Sequence, residues 1–180
     1  ENSDEIKKEL EAKGIKFKSQ TDTEVVTLLI TEALKENKPL NAVFKTLKKL
    51  KGSFALGIIF KNFSDTIIGA RRGSPLAVGY AKEENYIGSD SYALKSMTNK
   101  ISYLNDDELC VLTKDQVNFY NGKLQKINKK IHVMSEEEVS INKGEYKHFM
   151  LKEIHEQPET VKNCISEYID SLKEDINIYN

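Results

Sequence analysis

A carboxylate at the start of a predicted helix is the first group in this chain that could bind a ligand. Asp22 lies in the run Thr21-Asp22-Thr23-Glu24, whose Thr-x-x-Glu spacing predicts a capping box and a helix that begins here. Unpaired backbone N–H groups and the helix dipole favour an ionised carboxylate at this position, and a fixed anion suits an ammonium ligand. Asp22 could also be only part of the capping sequence, and the residue statistics of helix starts favour that interpretation when the residues are taken alone.

The two cysteines are candidates for a nucleophile, but their surroundings predict otherwise. Cys110 lies in the run Leu109-Cys110-Val111-Leu112, which is typical of a strand and has no neighbouring histidine or amine to lower the pKa of the thiol. Cys164 lies in a predicted C-terminal helix, again without an activating neighbour. We therefore predict that Cys110 is a core residue and that the chain contains no catalytic residue.

The histidines do not have the spacing of a metal site. His148 and His155 are seven residues apart on one predicted helix, whereas the histidine pair that clamps zinc on a helix is spaced i, i+4. His132 stands alone in a strand-like run. We predict neither a metal site nor a cofactor.

An arginine-rich run, Arg71-Arg72-Gly73-Ser74-Pro75, allows two interpretations. It could form a phosphate-binding turn, because arginine forks suit phosphate oxygens and the glycine lets a backbone approach. It could instead be a β-turn with the proline at a favoured position, and this is the interpretation we favour.

The composition excludes several classes of partner. In this chain of 180 residues, 27 basic side chains nearly cancel 28 acidic ones, so no net field selects nucleic acid or a membrane surface. The apolar runs are far too short for a membrane span. Two distant cysteines without Cys-x-x-Cys spacing argue against a disulfide framework, so we expect a reducing, cytoplasmic location.

The predicted helices and strands around these residues fall into three groups. The first third of the chain predicts three helices, with Ser3 as the N-cap of the first, the Thr21 capping box opening the second and Pro39 opening the third. From residue 53 the pattern changes to short apolar runs, of which Phe54–Phe60 and Thr66–Ala70 predict a hairpin. Further strands are predicted at residues 76–80, 85–88, 108–113, 117–120 and 124–127.

Helices return towards the end of the chain. A short helix is predicted at residues 91–97, and Asn121-Gly122 predicts a tight hairpin turn. After Gly144 a helix begins that Pro158 should end before another follows, with Val161, Ile165, Tyr168, Ile169 and Leu172 forming an apolar stripe along the second. Helices, then hairpin strands, then helices predict an α+β class.

Three separated motifs resemble one known family. They are Thr21–Glu24 (TDTE), Ala70–Leu76 (ARRGSPL) and Lys147–Pro158 (KHFMLKEIHEQP), and the similarity continues in order at residues 52–56, 88–90, 103–108 and 144–148. Together they resemble the glutaminase half of the glutamine:fructose-6-phosphate aminotransferases. The last motif distinguishes this family from the glutaminase domains of purine and asparagine synthesis.

The resemblance implies an N-terminal-nucleophile hydrolase-like fold, a four-layer αββα sandwich that is incomplete at its N-terminus. It implies a partial glutaminase domain at residues 1–143 and, at residues 144–180, a helical connector towards a missing sugar-phosphate isomerase domain. By the same resemblance, Asp22 binds the α-amino group of glutamine. The nucleophilic cysteine, the oxyanion hole and the loop that binds the substrate carboxylate are expected upstream of Glu1, so the isolated chain should be inactive.

The expected partners are glutamine or glutamate, the missing N-terminal segment and the isomerase domain, with a homodimer in the parent enzyme. The parent enzyme would hydrolyse glutamine and pass ammonia to fructose 6-phosphate, giving glucosamine 6-phosphate. The alternative is a non-catalytic binding or assembly module that retains the glutaminase fold.

Overall fold

The computed structural model describes residues 1–135, 144–166, 169–170 and 175–176. The chain divides into two compact units, Glu1–Ser135 and Glu136–Asn180. The predicted boundary between residues 143 and 144 adjoins a stretch, residues 136–143, that lies outside the described part.

Three helices form the first third of the chain, as predicted: α1 (Ser3–Ala12), α2 (Asp22–Leu34) and α3 (Pro39–Leu47). Asn2, not Ser3, is the N-cap residue of α1, so that detail of the prediction is wrong. The Asn2 side chain instead donates to the Lys49 carbonyl and accepts from the Lys51 N–H, which ties the start of the chain to the end of the helical region.

Strands dominate the next eighty residues, and all strand pairs here are antiparallel. The strands, with one short helix between them, are β1 (Phe54–Phe60), β2 (Phe63–Arg72), β3 (Ala77–Ala81), β4 (Glu84–Gly88), α4 (Ser91–Leu94), β5 (Lys100–Tyr103), β6 (Leu109–Leu112), β7 (Val117–Tyr120), β8 (Lys126–Ile127) and β9 (His132–Val133). They form a five-stranded sheet of order β1-β2-β6-β7-β8 and a four-stranded sheet of order β4-β3-β5-β9. The predicted hairpin is confirmed, with Leu56 opposite Ala70.

Two apolar clusters define the layers of this unit. One lies between the helices and the five-stranded sheet and includes Ile30, Val43 and Ile68. The other contains Val78 of the four-stranded sheet and Cys110 of the five-stranded sheet, so it fills the space between the two sheets. Leu94 of α4 lies against Gly79, which neighbours Val78 in β3 and therefore faces the other side of the four-stranded sheet. The order is thus helices, sheet, sheet and the short α4, which agrees with the predicted α+β sandwich.

The loop after β7 differs from the predicted tight turn at Asn121-Gly122. It runs from Asn121 to Gln125, where the Asn121 N–H donates to the Gln125 carbonyl at 3.0 Å and the Asn121 side-chain oxygen accepts from the Lys123 and Gln125 N–H groups. The positive φ of 61° falls on Leu124 instead of the glycine. The asparagine side chain thus organises a longer loop, a role that the dipeptide signal does not distinguish from a two-residue turn.

The described residues of the second unit include the long helix α5 (Phe149–Ser166) and the short pair β10 (Ile169–Asp170) and β11 (Asp175–Ile176). Pro158 lies inside α5, so the prediction that it ends one helix was wrong. A proline removes one backbone donor and crowds the preceding turn, which costs stability without necessarily ending the helix. Of the predicted stripe, Val161 and Ile165 lie on α5, whereas residues 168 and 172 lie outside the described part.

Candidate functional site at the start of helix α2

Asp22 is the first residue of α2, and it is exposed. The preceding residue, Thr21, caps the helix by accepting a hydrogen bond from the Glu24 N–H at 3.3 Å. The hydroxyl of Thr23 donates to Asp22 Oδ1 at 3.4 Å, a long and therefore weak contact. The Asp22 carboxylate is thus open to solvent at the positive end of a thirteen-residue helix, where a cationic group could reach it.

Glu24 holds the turn that leads into this helix. Its carboxylate accepts hydrogen bonds from the backbone N–H groups of Lys18 and Ser19, at 2.8 and 2.6 Å, and from the Ser19 hydroxyl at 2.6 Å. The Ser19 hydroxyl and the Lys18 N–H are the main causes that lower the pKa of Glu24, since they stabilise the ionised form.

The predicted capping box is therefore only half present. Thr21 accepts the expected hydrogen bond from the Glu24 N–H. In a full capping box the Thr21 N–H would donate to the Glu24 carboxylate, but here it donates to Ser19 Oγ at 3.3 Å. Sequence reasoning missed Ser19 because the Thr-x-x-Glu pattern specifies only the two ends of the box. A serine two residues before a threonine cap was the available signal.

A groove of about 910 Å³ lies between α2 and the edge strand β1. The helix contributes Thr23, Val26 and Ile30, and the strand contributes Ile58 and Ile59 among other residues. Because Thr23 follows Asp22 directly, the groove opens beside the start of α2.

The arginine-rich turn is engaged within the protein. Arg71 binds Asp106 through Nη2 at 2.7 Å and the Leu104 carbonyl through Nη1 at 2.9 Å. Arg72 binds Asp107 through Nε at 2.6 Å and the Leu50 carbonyl, beyond the end of α3, through Nη1 at 2.7 Å. The guanidinium groups thus join the turn to other elements, which supports the structural interpretation over phosphate binding.

A backbone N–H group of this turn also has a partner within the protein. The Gly73 N–H donates to Asp106 Oδ1 at 2.9 Å, and this bond, followed by the Arg71 side chain, lowers the pKa of the Asp106 carboxyl. Gly73 has a φ of 72°, a conformation that favours glycine. An N–H that already serves a carboxylate is not available to a phosphate.

Cys110 lies in the core, as predicted. Burial raises the pKa of its thiol to about 12, so the thiol stays protonated and is a poor nucleophile at neutral pH. Cys164 is an exposed residue of α5. Among the described residues there is no group of three or more potential metal ligands, and none of their helices is long and apolar enough to cross a membrane.

The chain is similar to known proteins in both its domain family and its fold. The sequence pattern of the glutamine amidotransferase domain matches residues 1–96, and the chain belongs to that family. The solved structure of glutamine phosphoribosylpyrophosphate amidotransferase from B. subtilis superposes with a TM-score of 0.58 over 69% of this chain and 28% of its own, at 22% identity. This likeness shows the fold and confirms the predicted N-terminal-nucleophile hydrolase-like α+β architecture.

Two relatives with higher sequence identity are aminotransferases of one kind. The glutamine–fructose-6-phosphate aminotransferase (isomerizing) of Zymomonas mobilis is 44% identical over 170 residues, and that of Aquifex aeolicus is 42% identical over 171 residues. The alignments cover 94% and 95% of this chain but only 28% and 29% of the relatives. The resemblance predicted from the motifs is therefore confirmed, and the chain spans less than a third of the length of these enzymes.

Proposed function

We propose that this chain contributes part of the glutaminase site of an amidotransferase that passes ammonia from glutamine to fructose 6-phosphate, yielding glucosamine 6-phosphate. In this proposal Asp22 binds the α-amino group of glutamine. The observation that carries it is the exposed Asp22 carboxylate at the start of α2, in a chain 44% identical to an enzyme named for this transfer.

The chemistry assigned to Asp22 is electrostatic. A carboxylate and an ammonium group attract each other, and the positive end of the helix dipole interacts favourably with a negative charge at Asp22. This pair would fix one end of the substrate, so that the side-chain amide projects towards the nucleophile. Asp22 is therefore a binding residue.

The nucleophile is assigned to another segment of the parent protein. The Cys110 thiol is buried and stays protonated, while Cys164 belongs to α5. We propose that residues 1–143 are part of the glutaminase domain and that residues 144–180 connect it to a sugar-phosphate isomerase domain in a cytoplasmic homodimer. A non-catalytic module is less well supported, because the similar relatives are named as enzymes.

A chimera tests this assignment. The matched region of the Zymomonas mobilis enzyme is replaced by the corresponding residues of this chain, and glutamate release and amino-sugar formation are both measured. The Asp22→Asn variant should raise the KM for glutamine roughly 10- to 100-fold, the loss expected for a hydrogen bond between charged groups. The KM for fructose 6-phosphate should stay unchanged.

The matched control is Asp4→Asn, which removes an exposed carboxylate from the first turn of α1. It should leave both KM values unchanged. Titration calorimetry of the 180-residue chain with glutamine and glutamate provides a second measurement, with no binding expected in the absence of the remaining site. An Asp22→Asn chimera with an unaltered KM for glutamine would refute the assignment.

A further inference from the structure

We propose that Glu24 is a positioning residue for the Asp22 carboxylate, acting through the turn at residues 18–21. This inference rests on the proposed function of Asp22. It assigns to Glu24 a role in glutamine affinity without contact with glutamine.

The contacts of Glu24 join the turn to the first turn of α2. One oxygen accepts from the Lys18 N–H at 2.8 Å, and the other accepts from both the N–H and the hydroxyl of Ser19 at 2.6 Å. Ser19 Oγ lies 2.9 Å from Thr21 Oγ1, so the chain of hydrogen bonds continues to the cap residue. Hydrogen bonds to an ionised acceptor are stronger than neutral ones, so the charge of Glu24 matters here.

Asp22 needs such support because little else restrains it. Its carboxylate is exposed and accepts a long hydrogen bond from the neighbouring Thr23 hydroxyl at 3.4 Å. The direction of the Asp22 side chain therefore depends on the backbone at the cap residue. That backbone is held from one side by the helix and from the other by the turn that Glu24 fixes.

Loss of the Glu24 hydrogen bonds should weaken the binding of glutamine. A turn that samples several conformations must be ordered when the ligand binds, and this loss of conformational freedom weakens binding. Glu24→Gln keeps the shape of the side chain but removes its charge and one acceptor oxygen. The variant should therefore weaken glutamine binding while leaving the chemical step unaltered.

The test is a double-mutant cycle in the same chimera. Glu24→Gln should raise the KM for glutamine roughly 3- to 10-fold with little change in kcat. In the Asp22→Asn background it should have no further effect, because a residue that acts through Asp22 has nothing left to position. Glu5→Gln, at the same third position of α1, is the matched control and should leave the KM unchanged.

The outcomes separate the two proposals. If Asp22→Asn leaves the KM for glutamine unaltered, the proposed function fails. If Asp22→Asn raises it but Glu24→Gln does not, only the positioning role fails. An equal effect of Glu24→Gln in both backgrounds would also overturn that role, because Glu24 would then act independently of Asp22.

The positioning role of Glu24 can also be tested in the 180-residue chain, by a measurement that does not require enzymatic activity. Amide hydrogen exchange by NMR reports directly on the Lys18 and Ser19 N–H groups. Glu24→Gln should speed their exchange roughly tenfold, whereas amides in the middle of α2 should be unaffected. Unchanged exchange at residues 18 and 19 would overturn the positioning role.

Discussion

Adding one methyl group at Gly69 should destabilise the sandwich more than the same change on the neighbouring strand. Gly69 lies in β2 and is paired directly with Gly57 of β1. A Cβ atom at Gly69 would lie only 2.5 Å from Cys110 Sγ and closer still to Ile87 Cδ1, so it would force the two sheets or these side chains apart. A Cβ atom at Gly57 would lie 3.8 Å from Ile87 Cγ2, which is an ordinary contact.

The expected magnitude follows from two opposing effects. Overpacking a filled core costs about 1–3 kcal/mol, while replacing glycine by alanine recovers about 0.4–1 kcal/mol by restricting the unfolded chain. Gly69→Ala should therefore lower the free energy of unfolding by a net ~1–2 kcal/mol. Gly57→Ala should leave it unchanged or raise it by up to ~1 kcal/mol.

Urea unfolding followed by circular dichroism measures both variants. The urea midpoint of Gly69→Ala should fall with an unchanged m-value, and its Tm should fall by roughly 2–8 °C. Ile87→Val removes the atom that an added methyl group would approach most closely, so the cost of Gly69→Ala should shrink in that background. Equal stability of the Gly69→Ala and Gly57→Ala variants would refute this account of the packing between the sheets.

Two further predictions concern the buried thiol and the arginine clamp, by which we mean the contacts of Arg72 with Asp107 and the Leu50 carbonyl. In the native chain at pH 8, a thiol reagent should modify Cys164 readily and Cys110 only after denaturation, and rapid reaction of both would contradict the burial of Cys110. Because burial raises the pKa of Cys110 to about 12, the unfolded thiol ionises first, so this residue should lower the stability as the pH rises above about 9. Arg72→Lys should lower the free energy of unfolding by roughly 1–3 kcal/mol, because lysine cannot bind Asp107 and the Leu50 carbonyl with one planar fork. An unchanged urea midpoint for this variant would show that the clamp contributes nothing.

The elements that the sequence predicted correctly are those with strong local signals. The Thr21 cap, the proline at the start of α3 and the apolar runs of the first hairpin each act through neighbouring residues. Where local signals compete, the predictions were wrong. Pro158 is compatible with both a helix end and a helix interior, and α5 continues through it.

The candidate site shows the same division. Asp22 could be singled out from its motif, since its place at the helix start depends on residues next to it. The backbone N–H groups of Lys18 and Ser19 could not be identified as partners of Glu24, because their approach to its carboxylate depends on the path of the chain into α2. The Thr-x-x-Glu spacing carries no information about that approach.

Motifs and short-range periodicity are sufficient to identify the family, to place most of the helices and strands, and to single out Asp22 as a candidate for substrate binding. The folded structure gives the arginines their role, since Arg72 and Asp107 are 35 residues apart and meet through the folded backbone. It likewise decided the chemistry of Cys110, because the pKa of a thiol depends on the packing of both sheets around it. Contacts between distant segments decide such properties, and local sequence patterns do not specify those contacts.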